Sequence, residues 1–208
     1  MNPINFKTNI IPTWCPGCSN YLIMAGLQAT FTKLNIPNYN LAIAYDIGCV
    51  GNMADFINTY GIHTLHGRSI PVAQGIKLAN PKLTVCVIGG DGGIYGEGLN
   101  HLVSAVRSDS PIKVIVSNNF LYSLTTGQTS PTTPKGSKTK STPLGNQSEP
   151  INAVNLIKAI NPKVFVKSID GRNPIVLNQA ILEALQTPGF ALLDIQTDCI
   201  AFGKQLKS

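Results

Sequence analysis

The residues that can do chemistry fall in two groups. The first opens where an apolar stretch, Leu83 to Ile88, runs into Gly89, Gly90, Asp91, Gly92 and Gly93 before a helical pattern begins near Ile94. Glycines there let the backbone turn sharply and approach a ligand, and the free amides of a helix start attract phosphate oxygens. Asp91 adds a hard carboxylate oxygen of the kind Mg2+ takes alongside phosphate and water. The next apolar stretch, Ile112 to Ser117, ends in Asn118 and Asn119. Two neighbouring parallel strands would thus bring an Asp and an Asn to one carboxyl edge, where open α/β sheets bind ligands. Taken singly, each of these residues is also an ordinary turn former.

The second group is the cysteines. Cys15 and Cys18 stand in a C-x-x-C, Cys49 follows the first apolar stretch, Cys199 follows the last, and Cys86 lies inside the stretch before Asp91. Four thiolates from three loops can hold Zn2+ or an iron-sulfur cluster, and the residue types do not choose between them. Cys86, among strand-core neighbours, is expected to be a small inert hydrophobe. The string Trp14-Cys15-Pro16-Gly17-Cys18 is also similar to the W-C-G-P-C of thioredoxins, with Pro and Gly interchanged. A dithiol-redox reading would use a low-pKa thiol at a helix start. It leaves Cys49, Cys199 and the Asp91 region without a role.

These groups need a frame. Short apolar stretches alternate with longer helical patterns, which predicts an α/β fold: an open parallel sheet with helices on both faces. The expected strands are Leu41 to Tyr45, Leu83 to Ile88, Ile112 to Ser117, Val164 to Ile169 and Phe190 to Ile195. Apolar stripes at helical spacing run through Ile23, Leu27, Phe31 and Leu34, through Leu99, Leu102, Val103 and Val106, and through Ile181, Leu182 and Leu185. Helices are expected over about Ile70 to Ala79 and Ile94 to Ser108, and Asn173-Pro174 reads as an N-cap and first turn. One domain over residues 1–208 is the expectation, with a cysteine-containing N-terminal segment (1–20) and a flexible loop at about 125–150. That loop, rich in Thr, Ser, Pro, Gly and Lys, reads either as solvated chain or as a lid.

Composition narrows the function classes. Charged residues make up only 12% of the 208 residues against 43% hydrophobic, a low figure for a surface that must stay wet, and it suggests a covering partner. The net charge is +6, but the basic residues are scattered and show no interleaved aromatics, so nucleic acid is not an expected partner. No apolar run is long enough for a bilayer, and Met1 to Ile11 lacks the form of an export signal, so a cytoplasmic location without membrane association is expected. Cysteines there are more often metal-binding or redox-active than disulfide-bonded. Of the three histidines, His101 reads as an ordinary helix residue and His66 as near enough to the Asp91 region for a ligand contact.

Gly90-Asp91-Gly92 reaching to Asn118-Asn119 resembles the thiamine diphosphate signature. The run from Asn119 through Tyr122, Gly127-Gln128 and Ser130-Pro131-Thr132 is similar to the N-x-x-Y-x-[LM]-T-x-G-Q-x-S-P-T of 2-oxoacid:ferredoxin oxidoreductase beta subunits, as are Trp14 to Cys18, Asp46 to Cys49 and Thr64 to Arg68. The resemblance implies a diphosphate-binding domain of the thiamine diphosphate fold. It implies Mg2+ on Asp91, Asn119 and the Leu121 carbonyl, and a [4Fe-4S] cluster on Cys15, Cys18, Cys49 and Cys199. It also implies that Ile47, Gly48, Cys49, Val50, His66, Gly92, Gly93, Ser123 and Leu124 line the cofactor.

The implied activity is oxidative decarboxylation of a 2-oxoacid, pyruvate being the expected one, to an acyl-coenzyme A with electrons passing through the cluster to ferredoxin. The carboxylate that activates the cofactor is expected on a partner alpha, or alpha and gamma, subunit. A non-catalytic iron-sulfur electron-transfer or assembly subunit is the competing reading. Three departures stand out: Gly93 where Asp is common, Thr126 where Lys is frequent, and an end nine residues after Cys199 (208 minus 199), which suggests a cluster more exposed or covered by another subunit.

Overall fold

A computed structural model describes residues 5–207 of the chain. Residues 1–4, part of the cysteine-containing segment and of the stretch read for an export signal, lie outside the described residues. Six parallel strands form one sheet in the order β2-β1-β3-β4-β8-β7. These are β1 (Leu41–Tyr45), β2 (Tyr60–His63), β3 (Thr84–Gly90), β4 (Lys113–Asn118), β7 (Phe165–Asp170) and β8 (Ala191–Gln196). A separate two-stranded antiparallel ribbon pairs β5 (Leu121–Tyr122) with β6 (Gln128–Thr129).

The expected strands are all present, shifted by a residue or two, and β3 runs on through Gly89 and Gly90 because those glycines still pair with Val116 and Ser117. Strand β2 was not expected. All four of its residues are exposed, so it carries none of the apolar signal by which a buried strand is read. It matters nonetheless. The chain leaves β1 for the outer strand β2 and returns to β3 on the other side, so the strand order reverses between β1 and β3, the place where open α/β sheets form a crevice at their carboxyl ends.

Helices cover both faces. α1 (Asn20–Lys33) and α5 (Pro174–Gln186) pack with Leu41, Ile43, Ile88 and Leu193 in one core. α2 (Ser69–Ala79), α3 (Leu99–Arg107) and α4 (Ala153–Ile160) pack with Val85, Val87, Val114 and Leu192 in the other. Asn173 caps α5 by accepting from the Ile175 and Val176 amides. The helix expected to start at Ile94 is two pieces. Gly92–Glu97 forms a wide π-helical turn, and α3 begins only at Leu99. Glycines at 92, 93, 96 and 98 remove the side chains that would resist that wider winding.

The segment from Thr125 to Pro150 is built on hydroxyls. Ser130, Thr132, Thr133, Ser137, Thr139 and Asn146 are buried in it. Thr129 Oγ1 lies 2.7 Å from Thr139 Oγ1 and 2.6 Å from Thr142 Oγ1, and the Asn146 amide donates to the Thr133 carbonyl at 2.9 Å. Among the described residues, no helix is long and apolar enough to cross a membrane.

Candidate active site

The turn after β1, the π-turn after β3 and the segment after β4 meet at the strand-order reversal and line a cleft. Ile47, Gly48, Cys49 and Val50 come from the first, Gly90 to Gly93 from the second, and Asn119 with Leu121 to Thr125 from the third. His66, from the loop before α2, stands at the same cleft. The residues expected at a cofactor and its metal are therefore brought to one place. Asn20, Ser117, Tyr122 and Thr125 line it as well and were not expected. Asn20 sits on the buried stripe of α1 with Ile23 and Leu27, and a polar residue on an apolar face was the available signal.

Asp91 is fully buried, and burial pushes its carboxyl up to about 6, an upward pull only partly offset by hydroxyls from Ser130 and Thr132. Those hydroxyls reach Oδ2 at 2.5 and 2.7 Å. Neither was expected at the site, because they arrive from about 40 residues along the chain. Asn118 and Asn119 divide their work. Asn118 is turned inward: its amide donates to Asp194 Oδ1 at 3.1 Å and its carbonyl lies 2.9 Å from Thr132 Oγ1. Asn119 faces the cleft, with Oδ1 accepting from the Leu121 amide at 3.1 Å and the Ser123 hydroxyl at 3.0 Å. A carboxylate, a side-chain amide oxygen and the nearby backbone carbonyl of Leu121 make an all-oxygen donor set, which suits Mg2+. A cation there would also offset a buried negative charge.

Behind the cleft, Asp46 is buried with every oxygen engaged. Oδ1 accepts from the Ile47 amide at 2.9 Å and the Gly67 amide at 3.1 Å, and Oδ2 from the Ser69 hydroxyl at 2.6 Å. Asp194 plays a similar part under Asn118, accepting also from Tyr95 at 2.9 Å and Ser168 at 2.8 Å.

The departures have structural counterparts. A Cβ on Gly93 would lie 2.2 Å from Asp46 Oδ1, so that space is already filled by a carboxylate. Thr126 has φ +80°, an unusual conformation for a β-branched residue, and it receives the Lys140 ammonium on its hydroxyl at 2.9 Å. An ammonium thus stands beside residue 126 after all, delivered from 14 residues further along the same segment.

Cys15, Cys18, Cys49 and Cys199 line a second cavity, with Trp14 and Phe202 also in its wall. It shares Asn20, Cys49, Ser117, Asn119, Ser123 and Leu124 with the first. Burial raises the Cys49 thiol to about 11, and the neighbouring Cys18, Cys199 and Cys15 push it in the same direction. Burial also raises Cys18, with Cys15 and Cys199 adding to the rise, although the Asn20 amide opposes it. Among the described residues no group of three His, Cys, Asp or Glu side chains is placed to hold a single metal ion. The Phe202 amide donates to Cys199 Sγ at 3.4 Å. Cys86 is fully buried in β3 and apart from this group.

Residues 46–195 match the family model of the thiamine pyrophosphate enzyme C-terminal TPP binding domain. The chain is 37% identical over 198 residues to the beta subunit of 2-oxoacid:ferredoxin oxidoreductase 1 of Aeropyrum pernix, covering 95% of itself and 62% of that protein. It is 36% identical to the 2-oxoglutarate synthase subunit KorB of Archaeoglobus fulgidus, covering 93% of itself and 72% of that protein. Its fold superposes on a 2-oxoglutarate:ferredoxin oxidoreductase from Magnetococcus marinus with a TM-score of 0.93 at 32% identity, covering 97% of this chain and 69% of that one. That structure holds 2-oxoglutarate, coenzyme A and succinyl-CoA. Against the first of these curated relatives the chain spans only 61–63% of their length.

Proposed function

The chain belongs to the family of 2-oxoacid:ferredoxin oxidoreductase beta subunits, with a thiamine-pyrophosphate-binding domain over residues 46–195, and from that premise we propose that it holds thiamine diphosphate through Mg2+ in the cleft and a [4Fe-4S] cluster in the adjoining cavity. In this reading it works with a partner subunit in the oxidative decarboxylation of a 2-oxoacid to an acyl-coenzyme A, passing electrons to ferredoxin. The observation that carries the reading is the shared wall: Cys49 and Asn119 border both cavities, one from the thiol set and one from the oxygen set.

When bound, the cofactor supplies the carbanion chemistry that releases carbon dioxide from the 2-oxoacid. The chain's own residues bind and shield. Asp91, Asn119 and the Leu121 carbonyl are the metal donors, and Ser130 and Thr132 keep the Asp91 carboxylate oriented. The glycines of the π-turn would let the backbone approach a diphosphate, and Ile47, Val50 and Leu124 add apolar wall to the cleft. Cys15, Cys18, Cys49 and Cys199 would hold the cluster, in a cavity that shares Cys49 and Asn119 with the cleft.

Exposed Leu124 lines both cavities and exposed Ile200 the second, and apolar side chains there favour a partner subunit over open water. The relatives include 2-oxoacid and 2-oxoglutarate enzymes, so the 2-oxoacid has to be found by assay. The deciding experiment is anaerobic co-purification with the partner, followed by cofactor analysis and dye reduction with pyruvate, 2-oxoglutarate, branched-chain and aryl 2-oxoacids. Retained thiamine diphosphate, iron and sulfide with 2-oxoacid-dependent reduction is the expected result. An iron-loaded chain that never takes up thiamine diphosphate would leave only the electron-transfer role. Zinc in place of iron and sulfide would end the cluster assignment.

A further inference from the structure

His66 reaches the cleft with one ring nitrogen wedged between two carboxylates. Its Nδ1 lies 3.2 Å from Glu97 Oε2 and 3.7 Å from Asp46 Oδ1. That nitrogen is wholly enclosed, while 35% of the side chain is open and the residue lines the cleft. Nδ1 makes no aligned hydrogen bond here, although Glu97 Oε2 stands within hydrogen-bond distance of it. Asp46 already spends Oδ1 on two backbone amides, which leaves Glu97 as the acceptor for a proton on Nδ1.

Glu97 is itself held. The Tyr122 hydroxyl donates to its Oε1 at 3.1 Å, and the Arg68 guanidinium takes its backbone carbonyl at 3.1 Å. The Tyr122 ring lies so close over Gly92 that a Cβ there would come within 2.2 Å of it. No carboxylate fits at residue 93, because Asp46 fills that space, and Glu97 at the far end of the same π-turn brings one to the rim instead.

We propose that Glu97 is a positioning residue for His66, taking the Nδ1 proton and so holding the neutral ring in the tautomer whose Nε2 faces the cleft as a proton acceptor. The partner bonded to one ring nitrogen sets which nitrogen carries the proton. Held so, Nε2 can accept a hydrogen bond from a hydroxyl or water bound in the cleft, with Glu97 and Asp46 beside the ring. The inference rests on reading the cleft as the cofactor and substrate site, but the tautomer itself can be tested without any cofactor.

The test uses the chain in its assembled complex, labelled with 15N-histidine. With three histidines in the chain, His66→Gln identifies the signal of interest. The neutral ring should show a protonated Nδ1 and a bare Nε2, Glu97→Ala should move the proton toward Nε2, and Glu97→Gln, which keeps an acceptor oxygen, should restore it. In turnover, Glu97→Ala and His66→Gln should each lower kcat about tenfold with KM for the 2-oxoacid little changed. The double variant should be no worse than His66→Gln alone, since residues acting as a unit are not additive. A tautomer unmoved by Glu97→Ala, or a double variant showing the product of the two losses, overturns the proposal. A complex that takes up no thiamine diphosphate while the tautomer behaves as expected overturns the cofactor reading and leaves the Glu97–His66 pairing standing.

Discussion

The hydroxyl of Thr132 lies 2.7 Å from Asp91 Oδ2 and 2.9 Å from Asn118 Oδ1, joining the ends of β3 and β4 through a residue that belongs to neither strand. A single hydroxyl proton serves one acceptor at a time, and an ionised Asp91 has the stronger claim on it. Thr132→Val keeps the shape and removes that proton. Stability should fall by about 1–2 kcal/mol, the usual cost of leaving a buried polar group short of a partner. Mg2+-dependent binding of thiamine diphosphate should weaken by about tenfold, the equivalent of about 1.4 kcal/mol. Denaturant unfolding and titration calorimetry would measure the two, and unchanged metal affinity would show that Thr132 serves the fold alone.

Asp91 also sets a pH dependence. Its folded pKa of about 6 lies above the ordinary 3.8, so the metal-free protein carries no penalty while the group is protonated in both states. As pH rises from about 4 through 6 the unfolded chain ionises first, and the folded state loses stability. Mg2+ requires the ionised form, so the rise in melting temperature on adding Mg2+ should be large above pH 6 and small near pH 5. Asp91→Asn should remove both the metal response and its share of the pH trend. The comparison is best made as wild type minus variant, because Asp170 and Glu183, held low by Arg172 and Lys167, act in the opposite direction.

The parts of this arrangement differ in how far the sequence reveals them. Strands buried on both faces, such as Val85 to Ile88 and Val114 to Val116, announce themselves by unbroken apolar runs, and the glycines and asparagines at their ends place the cleft. Strand β2 is hidden because Tyr60 to His63 are exposed, and with it goes the strand-order reversal that explains why a cleft forms between β1 and β3. Ser130 and Thr132 stand inside a recognisable motif and Asp194 and Glu97 outside one, but all four act through contacts made across the fold, and nothing in their local spacing tells a buried hydroxyl or carboxylate from a surface one. Asp46 and Tyr122 lie inside recognisable motifs, but their duties, filling the space beside Gly93 and covering Gly92, are set by packing.

The five cysteines should separate cleanly by substitution. Cys199→Ser removes one thiol from the cavity and should abolish or greatly reduce the broad visible absorption of the anaerobically purified complex, with iron falling in step. Cys86→Ala should leave iron, sulfide and absorption intact. Its thiol is pushed up to about 12 by burial among strand residues, so it is protonated and out of contact with the cavity. The cost should be about 1 kcal/mol of stability, that of a small cavity in a packed core. Equal iron loss in both variants would contradict the four-thiol assignment.

Gly93 offers the sharpest test of the cleft's rear wall. Its backbone does not need glycine's freedom, since it lies in a helical turn and is not among the positive-φ residues. What excludes a side chain is space: a Cβ would sit 2.2 Å from Asp46 Oδ1 and 2.8 Å from its Cγ. Asp46 cannot swing aside without giving up the Ile47 and Gly67 amides and the Ser69 hydroxyl. Gly93→Ala should therefore cost about 1–3 kcal/mol, as overpacking a filled interior does. Gly93→Asp should cost more, because it sets a second carboxylate against a buried one. Gly75, in the middle of α2 with nothing within 4 Å of its would-be Cβ, is the control. Gly75→Ala should stabilise by about 0.5–1 kcal/mol through the helix preference of alanine. If chemical denaturation showed Gly93→Ala to be as benign as Gly75→Ala, Asp46 would have to be mobile, and the rigid wall behind the cleft, on which the placement of His66 depends, would be lost.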